Sequence, residues 1–335
     1  MKRMIALVAV LLMLTVLFTG CGETTSSTAD TAKPEAGKAV VNIGGIIGPT
    51  GIGMANLIAA DGEGTTANDY TFSFSSVPQD IAAKLTQGAV DIAALPTNLA
   101  VSLYNKTSGG VKLLAVNTLG VLHVLENGNS VKSIADLKGK TIYSTGEGAN
   151  PEYILKYVLE QNGLTPGKDV TIEFIAENDT LAAQMASGAI KLALVPEPQV
   201  SVITTKNPDV RAAINMNDAG DAVAEGDSKL RMGCVAVRAE FLEKNKAAVD
   251  AFLTDYAASI TAATADVKKT AELCKQHRIL PNAAIAAKAI PNCALTFVAG
   301  AEMKAQIKGY YAVLFAANPK SIGGKLPADD FYYVG

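Results

Sequence analysis

Ala82-Ala83-Lys84-Leu85-Thr86-Gln87-Gly88-Ala89-Val90-Asp91-Ile92-Ala93-Ala94-Leu95-Pro96 returns about a hundred residues later as Ala182-Ala183-Gln184-Met185-Ala186-Ser187-Gly188-Ala189-Ile190-Lys191-Leu192-Ala193-Leu194-Val195-Pro196. Each copy reads as the end of a helix, a glycine suited to a left-handed cap, a buried strand and a proline that stops it. A second matched piece precedes each copy, Thr50-Gly51-Ile52-Gly53 and Thr145-Gly146-Glu147-Gly148. Solenoid repeats have shorter periods. Two matched pieces in the same order predict two similar α/β lobes that face one another across a ligand.

Working outward, β-branched and apolar runs predict strands at Val40–Ile47, Tyr70–Ser75, Val90–Leu95, Val111–Val116 and Gly120–Leu125. Helices are expected at about Gly53–Ala60, from Pro78 to Gly88, and from Pro96-Thr97-Asn98 to about Asn105. The same alternation continues with strands at Thr141–Ser144, Val170–Ile175, Leu192–Val195 and Val210–Met216. Helices are expected there from Pro151 to about Asn162, over Leu181–Gly188 and over Pro198–Thr205. Such alternation calls for mainly parallel sheets with helices on both faces. Leu230–Arg238 reads as a strand returning to the first lobe. Ala239–Ala317 reads as mostly helical, and Gly323–Gly335 as an irregular tail ending in Phe331, Tyr332 and Tyr333.

The ends carry a separate message. Lys2 and Arg3 precede an apolar run from Met4 to Phe18, too short for a comfortable membrane span, so residues 1–20 read as a secretory signal. The Ser-, Thr-, Ala- and Pro-containing stretch to about residue 38 lacks large apolar side chains and reads as a flexible tether. Two of the 29 basic residues lie in the leader, so the body is acidic against 32 Asp and Glu. With no basic stripe, nucleic acid is excluded as the expected partner. Beyond Cys21 stand Cys234, Cys274 and Cys293. An odd number defines no disulfide framework. Either one pair forms, Cys234 with Cys293 being favoured, or all three are buried as small apolar residues.

In open α/β sheets, ligands bind outside the carboxyl ends of the strands. That rule selects Pro49, Thr50 and Gly51 in the first lobe, and Thr145, Gly146, Gly148 and Asn150 in the second. Their glycines allow close backbone approach, and helix-start N–H groups suit oxygen-bearing or anionic groups. Thr97 and Asn98 follow another strand end and serve either as caps or as donors to the crevice. Thr118 ends a further strand. Glu147, Glu152 and Glu197 are the ionisable groups placed near the cleft. The motifs are neither a P-loop nor a dinucleotide fingerprint. No Cys-x-x-Cys, His-x-x-x-His or Gly-x-Ser-x-Gly occurs, so zinc, redox and serine-hydrolase chemistry lack their groups. No cofactor is expected, and His123, in an apolar strand, reads as a core or hinge residue.

Leu17-Phe18-Thr19-Gly20-Cys21 resembles the lipobox of bacterial lipoproteins, which implies lipidation of Cys21. Together with Gly48-Pro49-Thr50-Gly51, the Gly88–Pro96 segment, Ala135-Asp136-Leu137-Lys138-Gly139-Lys140 and the return strand, the chain resembles substrate-binding lipoproteins of ABC importers. It looks closest to the NMT1/THI5-like subgroup of sulfonate, nitrate and thiamine-pyrimidine binders. The resemblance implies a type II periplasmic-binding fold with lobe 1 at 39–125 and 235–335, lobe 2 at 126–234, and crossings near Leu122–Asn127 and Arg231–Val237. It implies a non-enzymatic receptor, lipid-anchored outside the cytoplasmic membrane, that passes a small polar organic solute to a permease with its ATPase. The alternatives are an enzyme on this fold, related to thiamine-precursor or menaquinone biosynthesis, and a surface sensor. Neither Trp nor a cleft Arg is present, so neither an aromatic sandwich nor a bidentate anion grip is expected.

Overall fold

The computed structural model describes residues 37–335 apart from 225 and 227; the expected signal, most of the tether and Cys21 lie outside them. The first lobe opens with β1 (Val40–Ile46), α1 (Pro49–Ile52), α2 (Ala55–Gly62) and β2 (Asp69–Ser75). It continues through α3 (Pro78–Thr86), β3 (Ile92–Pro96), α4 (Thr97–Lys106) and β4 (Val111–Thr118). Where one helix was expected from Gly53, there are two. The chain presses so closely on its neighbours at Gly53 that a Cβ would stand 2.4 Å from Ile260 Cδ1 and 2.7 Å from the Tyr256 hydroxyl.

The second lobe comprises β5 (Leu122–Asn127), β6 (Thr141–Ser144), α5 (Asn150–Gln161), β7 (Thr171–Phe174) and α6 (Asn178–Ala186). After these come β8 (Leu192–Pro196), α7 (Gln199–Lys206), β9 (Val210–Asn215) and α8 (Met216–Val223). The chain then returns through β10 (Gly233–Arg238), α9 (Ala239–Lys244), α10 (Lys246–Ala265), α11 (Val267–Gln276), α12 (Ala283–Ala289), β11 (Leu295–Ala299) and α13 (Gly300–Ala317). The repeated sequence is a repeated structure. α3 and α6 begin and end at equivalent positions, as do β3 and β8, and both caps are left-handed glycines, Gly88 at φ 77° and Gly188 at φ 81°.

Two sheets result, one ordered β11-β4-β10-β3-β1-β2 and the other β7-β6-β8-β5-β9. β1 pairs in parallel with β2 and β3, and β6 with β7 and β8. Each sheet also receives one reversed strand straight from the other lobe: β5 runs antiparallel to β8 and β9, and β10 antiparallel to β3 and β4. The first crossing therefore lies outside its expected range, Leu122–Asn127, and the second coincides with only the start of Arg231–Val237. All of β5 belongs to the second sheet, so the first passage is Leu119-Gly120-Val121. The return passage ends at Met232, because Gly233 already pairs with Pro96 and Thr118. β5 and β10 are buried almost throughout, so their apolar composition alone did not show which sheet would satisfy their backbones.

The core explains the long return segment. Val249, Phe252, Tyr256 and Ile260 lie at helical spacing on α10 and pack on Val41, Ile43, Val235 and Val237 of the first sheet. Phe252 and Tyr256 stack with centroids 5.4 Å apart. Burying each such side chain contributes about 1.5–3 kcal/mol. The tail is less irregular than expected: Phe331 and Tyr332 are buried in the main core, and Tyr332 bridges to Leu113 of β4. The three cysteines beyond Cys21 are buried and unbridged. The favoured Cys234–Cys293 bond is absent because Cys234 Sγ donates to Leu95 O at 3.4 Å, while Cys293 lies in a separate cluster with Cys274.

Candidate functional site

Because β5 and β10 are reversed, both crossings run along the edge where the parallel strands end. That edge encloses a cavity of about 320 Å³. The end of β1 supplies Ile46, Ile47, Pro49 and Thr50, and the turn after β2 supplies Pro78 and Gln79. The β3–α4 junction contributes Pro96, Asn98 and Leu99, and β4 contributes Thr118. Val121 comes from one crossing, Met232 from the other, and Gly233 is the first residue of β10. From the second lobe come Gly148, Ala149, Asn150 and Pro151.

Three prolines on this wall open helices. Pro49, Pro78 and Pro151 occupy first-turn positions of α1, α3 and α5, where a missing N–H costs nothing and φ is already set. The starts of α3, α4 and α5 thus meet at the cavity. First-turn N–H groups have no intrahelical partner and give a helix start roughly half a positive charge. Gly148, at φ 71° with nothing within 4 Å of an added Cβ, lets the chain turn into α5 without filling the space.

No lining side chain is charged. Thr118 Oγ1 donates to Asn117 Oδ1 at 3.1 Å, and the Asn98 amide donates to Ser321 O at 3.4 Å. Asn150 is almost wholly buried, and its Oδ1 has no partner. Gly148 N is engaged by Glu152 Oε2 at 2.6 Å. Burial pushes the Glu152 carboxyl up, but Lys156 and this amide outweigh it and hold it below the usual range.

Of the residues expected at the site, Pro49, Thr50, Asn98, Thr118, Gly148 and Asn150 come together around the cavity; the other five do not. Gly51 is a packing residue, since a Cβ there would stand 2.4 Å from Ile46 O. Thr97 is buried and donates through Oγ1 to Arg231 O at 2.6 Å, tying α4 to the return crossing. Thr145 Oγ1 donates to Asn178 Oδ1 at 2.6 Å, joining two loops of its own lobe. Gly146, at φ 77°, turns against Pro151. Glu197 is buried, its carboxylate accepting from Ser201 N and Oγ, each at 3.1 Å. Sequence reasoning passed over Gln79, Val121 and Met232. Pro78 opening a helix after a strand marked Gln79, whereas the other two depend on where the crossings run.

Residues 65–280 match the family described as ABC transporter, phosphonate, periplasmic substrate-binding protein. No curated protein matches the sequence significantly. Among solved structures, an ABC transporter protein from Parabacteroides distasonis superposes with a TM-score of 0.73 at 22% identity, covering 88% of this chain and 99% of its own. The periplasmic aliphatic sulphonate-binding protein SsuA from Escherichia coli gives 0.69 at 16% identity, covering 88% and 92%. The alkanesulfonate-binding protein SsuA from Xanthomonas axonopodis pv. citri, bound to MOPS, gives 0.62 at 17% identity, covering 84% and 94%. These likenesses confirm the two-lobed periplasmic-binding fold. With the family match covering most of the chain, the protein belongs to the periplasmic substrate-binding proteins of ABC transporters, which bind small ligands and deliver them to a permease.

Proposed function

We propose that the solute is a small, singly charged organic acid of the sulfonate or phosphonate-monoanion type, held head-first between the lobes. The observation that carries this reading is the convergence of three helix starts, from both lobes, on a cavity without a charged side chain. Partial charges of roughly half a unit each suit one negative charge. A dianion would lose more hydration than these dipoles return, with no Arg or Lys on the wall to offset it. Thr50, Gln79, Asn98, Thr118 and Asn150 are the hydrogen-bonding side chains on hand, while Ile46, Ile47, Leu99, Val121 and Met232 suit an organic substituent. A cavity of about 320 Å³ favours a short one.

The same lining supports a receptor over an enzyme: it offers neither a titratable group to move a proton nor a thiol to attack a substrate. We further propose that Cys21 carries the lipid that keeps the protein at the membrane. Among the described residues, no helix is long and apolar enough to cross one. Titration calorimetry with ethanesulfonate, ethylphosphonate and the neutral ethyl methyl sulfone tests the solute reading. Ethanesulfonate is expected to bind, with ethylphosphonate weakening as it becomes a dianion. Equal affinity for the neutral sulfone would overturn the reading.

A further inference from the structure

Glu197 ends up where the lobes meet, and the binding of an anion leaves it unused. We propose that Glu197 is a proton-linked latch: closing the lobes buries its carboxyl beneath lobe 1, and taking up a proton there favours the closed form. This rests on the reading of the protein as a receptor that opens and closes.

Among the described residues, three carboxylates are buried: Asp91, Glu126 and Glu197. Asp91 pairs with Arg238 at 2.9 Å and Glu126 with Arg211 at 2.5 Å. Glu197 has no ion pair; its oxygens accept from Ser201 N and Oγ, and the Asn292 amide lies against them as a further donor. Asn292 follows α12, whose Ala286 and Ala289 pack with Ile52 and Ala55 of lobe 1. A carboxyl of lobe 2 is thus covered by residues of lobe 1. The same helix grips the far end of α7, where Lys288 Nζ donates to Thr204 Oγ1 at 2.9 Å and to Thr205 Oγ1 at 3.0 Å. Opening the lobes would lift α12 from α7 and return water to Glu197.

The surroundings decide the sign. Lys288 on α12 and Cys293 beyond it are the titratable groups facing Glu197 from lobe 1. On its own lobe Ser201 faces it from α7. The Glu197 N–H donates to Val121 O at 3.0 Å, two residues before His123 of β5, which is influenced by Asp218 of α8. Burial pushes the Glu197 carboxyl up, and Ser201, Asn292 and Lys288 offset this only in part. A carboxyl that titrates higher when closed than when open binds a proton on closure. Closure is therefore favoured at low pH, and the gain is lost as pH rises through the closed-state value.

The test is a pulsed dipolar distance measurement between spin labels at Gln87→Cys and Ser187→Cys, exposed equivalent positions on the two lobes, in the full mature chain without added solute. From about pH 8 to about pH 5 the closed-to-open ratio is expected to rise at least about twofold. Glu197→Gln, which cannot ionise, should stay closed at both. Asn292→Ala, which removes a donor from the carboxylate, should move the midpoint upward, and it carries the test if Glu197→Gln fails to fold. A wild-type distribution indifferent to pH, a Glu197→Gln variant that still responds, or an unmoved midpoint in Asn292→Ala would overturn the latch. Because no solute is present, such a failure leaves the receptor reading untouched.

Discussion

Thr97 and Asn98 are neighbours with different tasks, and the structure separates them by burial. Thr97 sits inside the joint, its hydroxyl on the carbonyl of Arg231, while Asn98 lies on the cavity wall. Thr97→Val should therefore lower stability by about 1–3 kcal/mol, by leaving a buried carbonyl without its donor, as measured by urea unfolding. Asn98→Ala should lower affinity for ethanesulfonate about tenfold with a nearly unchanged melting temperature, since one hydrogen bond to a charged head is lost. The reverse pattern would show the two roles exchanged. Both residues were legible as a strand end, but spacing could not show which one faced inward. The same holds for the duplicated Thr-Gly-x-Gly pieces. Gly53 answers to Ile260 and Tyr256 packed against it, while its counterpart Gly148 answers to a positive φ, and the letters are identical.

Between elements, the repeat was readable because a helix end, a left-handed glycine and a buried strand each leave a local mark. Gly88→Ala at φ 77° tests this, with an expected cost of about 1 kcal/mol in a denaturant titration; an unchanged midpoint would show that the cap is not needed. Elements lacking a local mark were missed. β11 lies in an Ala-rich stretch and is half-buried along its length, so no alternation announces it. α8 begins at Met216, where Asn215 caps it through a bond to Asn217 N at 2.9 Å, and the preceding strand was read through that cap. Within lobe 2, burial alone would push the Glu126 carboxyl up, but Ser130, the Val131 amide and Arg211 bring it down to about 2. A depressed carboxyl adds stability above its unfolded value, about 4.3, and loses it as pH falls toward the folded value. The protein should thus weaken steeply below about pH 4.5, and Glu126→Gln should flatten that part of a stability-against-pH curve.

At the scale of the whole molecule, the two lobes share a repeat but contribute unequally to the site. Lobe 1 brings four strand-end loops to the cavity, while lobe 2 brings one, Gly148–Pro151. The second lobe's equivalent of the Asn98 junction is instead folded under α12, which removed Glu197 from the wall. The repeat in the sequence thus showed the fold, and strand ends pointed to six of the residues that line the candidate cavity. The rest was set by where two reversed strands cross and what the return segment covers. Crystals of the mature protein soaked in bromoethanesulfonate, with the bromine located by anomalous scattering, test the central claim most directly. One peak is expected in the cavity, with the sulfonate at the starts of α4 and α5 and the bromine toward Leu99 and Met232. A bound molecule outside the cleft, or an empty cleft at saturating probe, would contradict it.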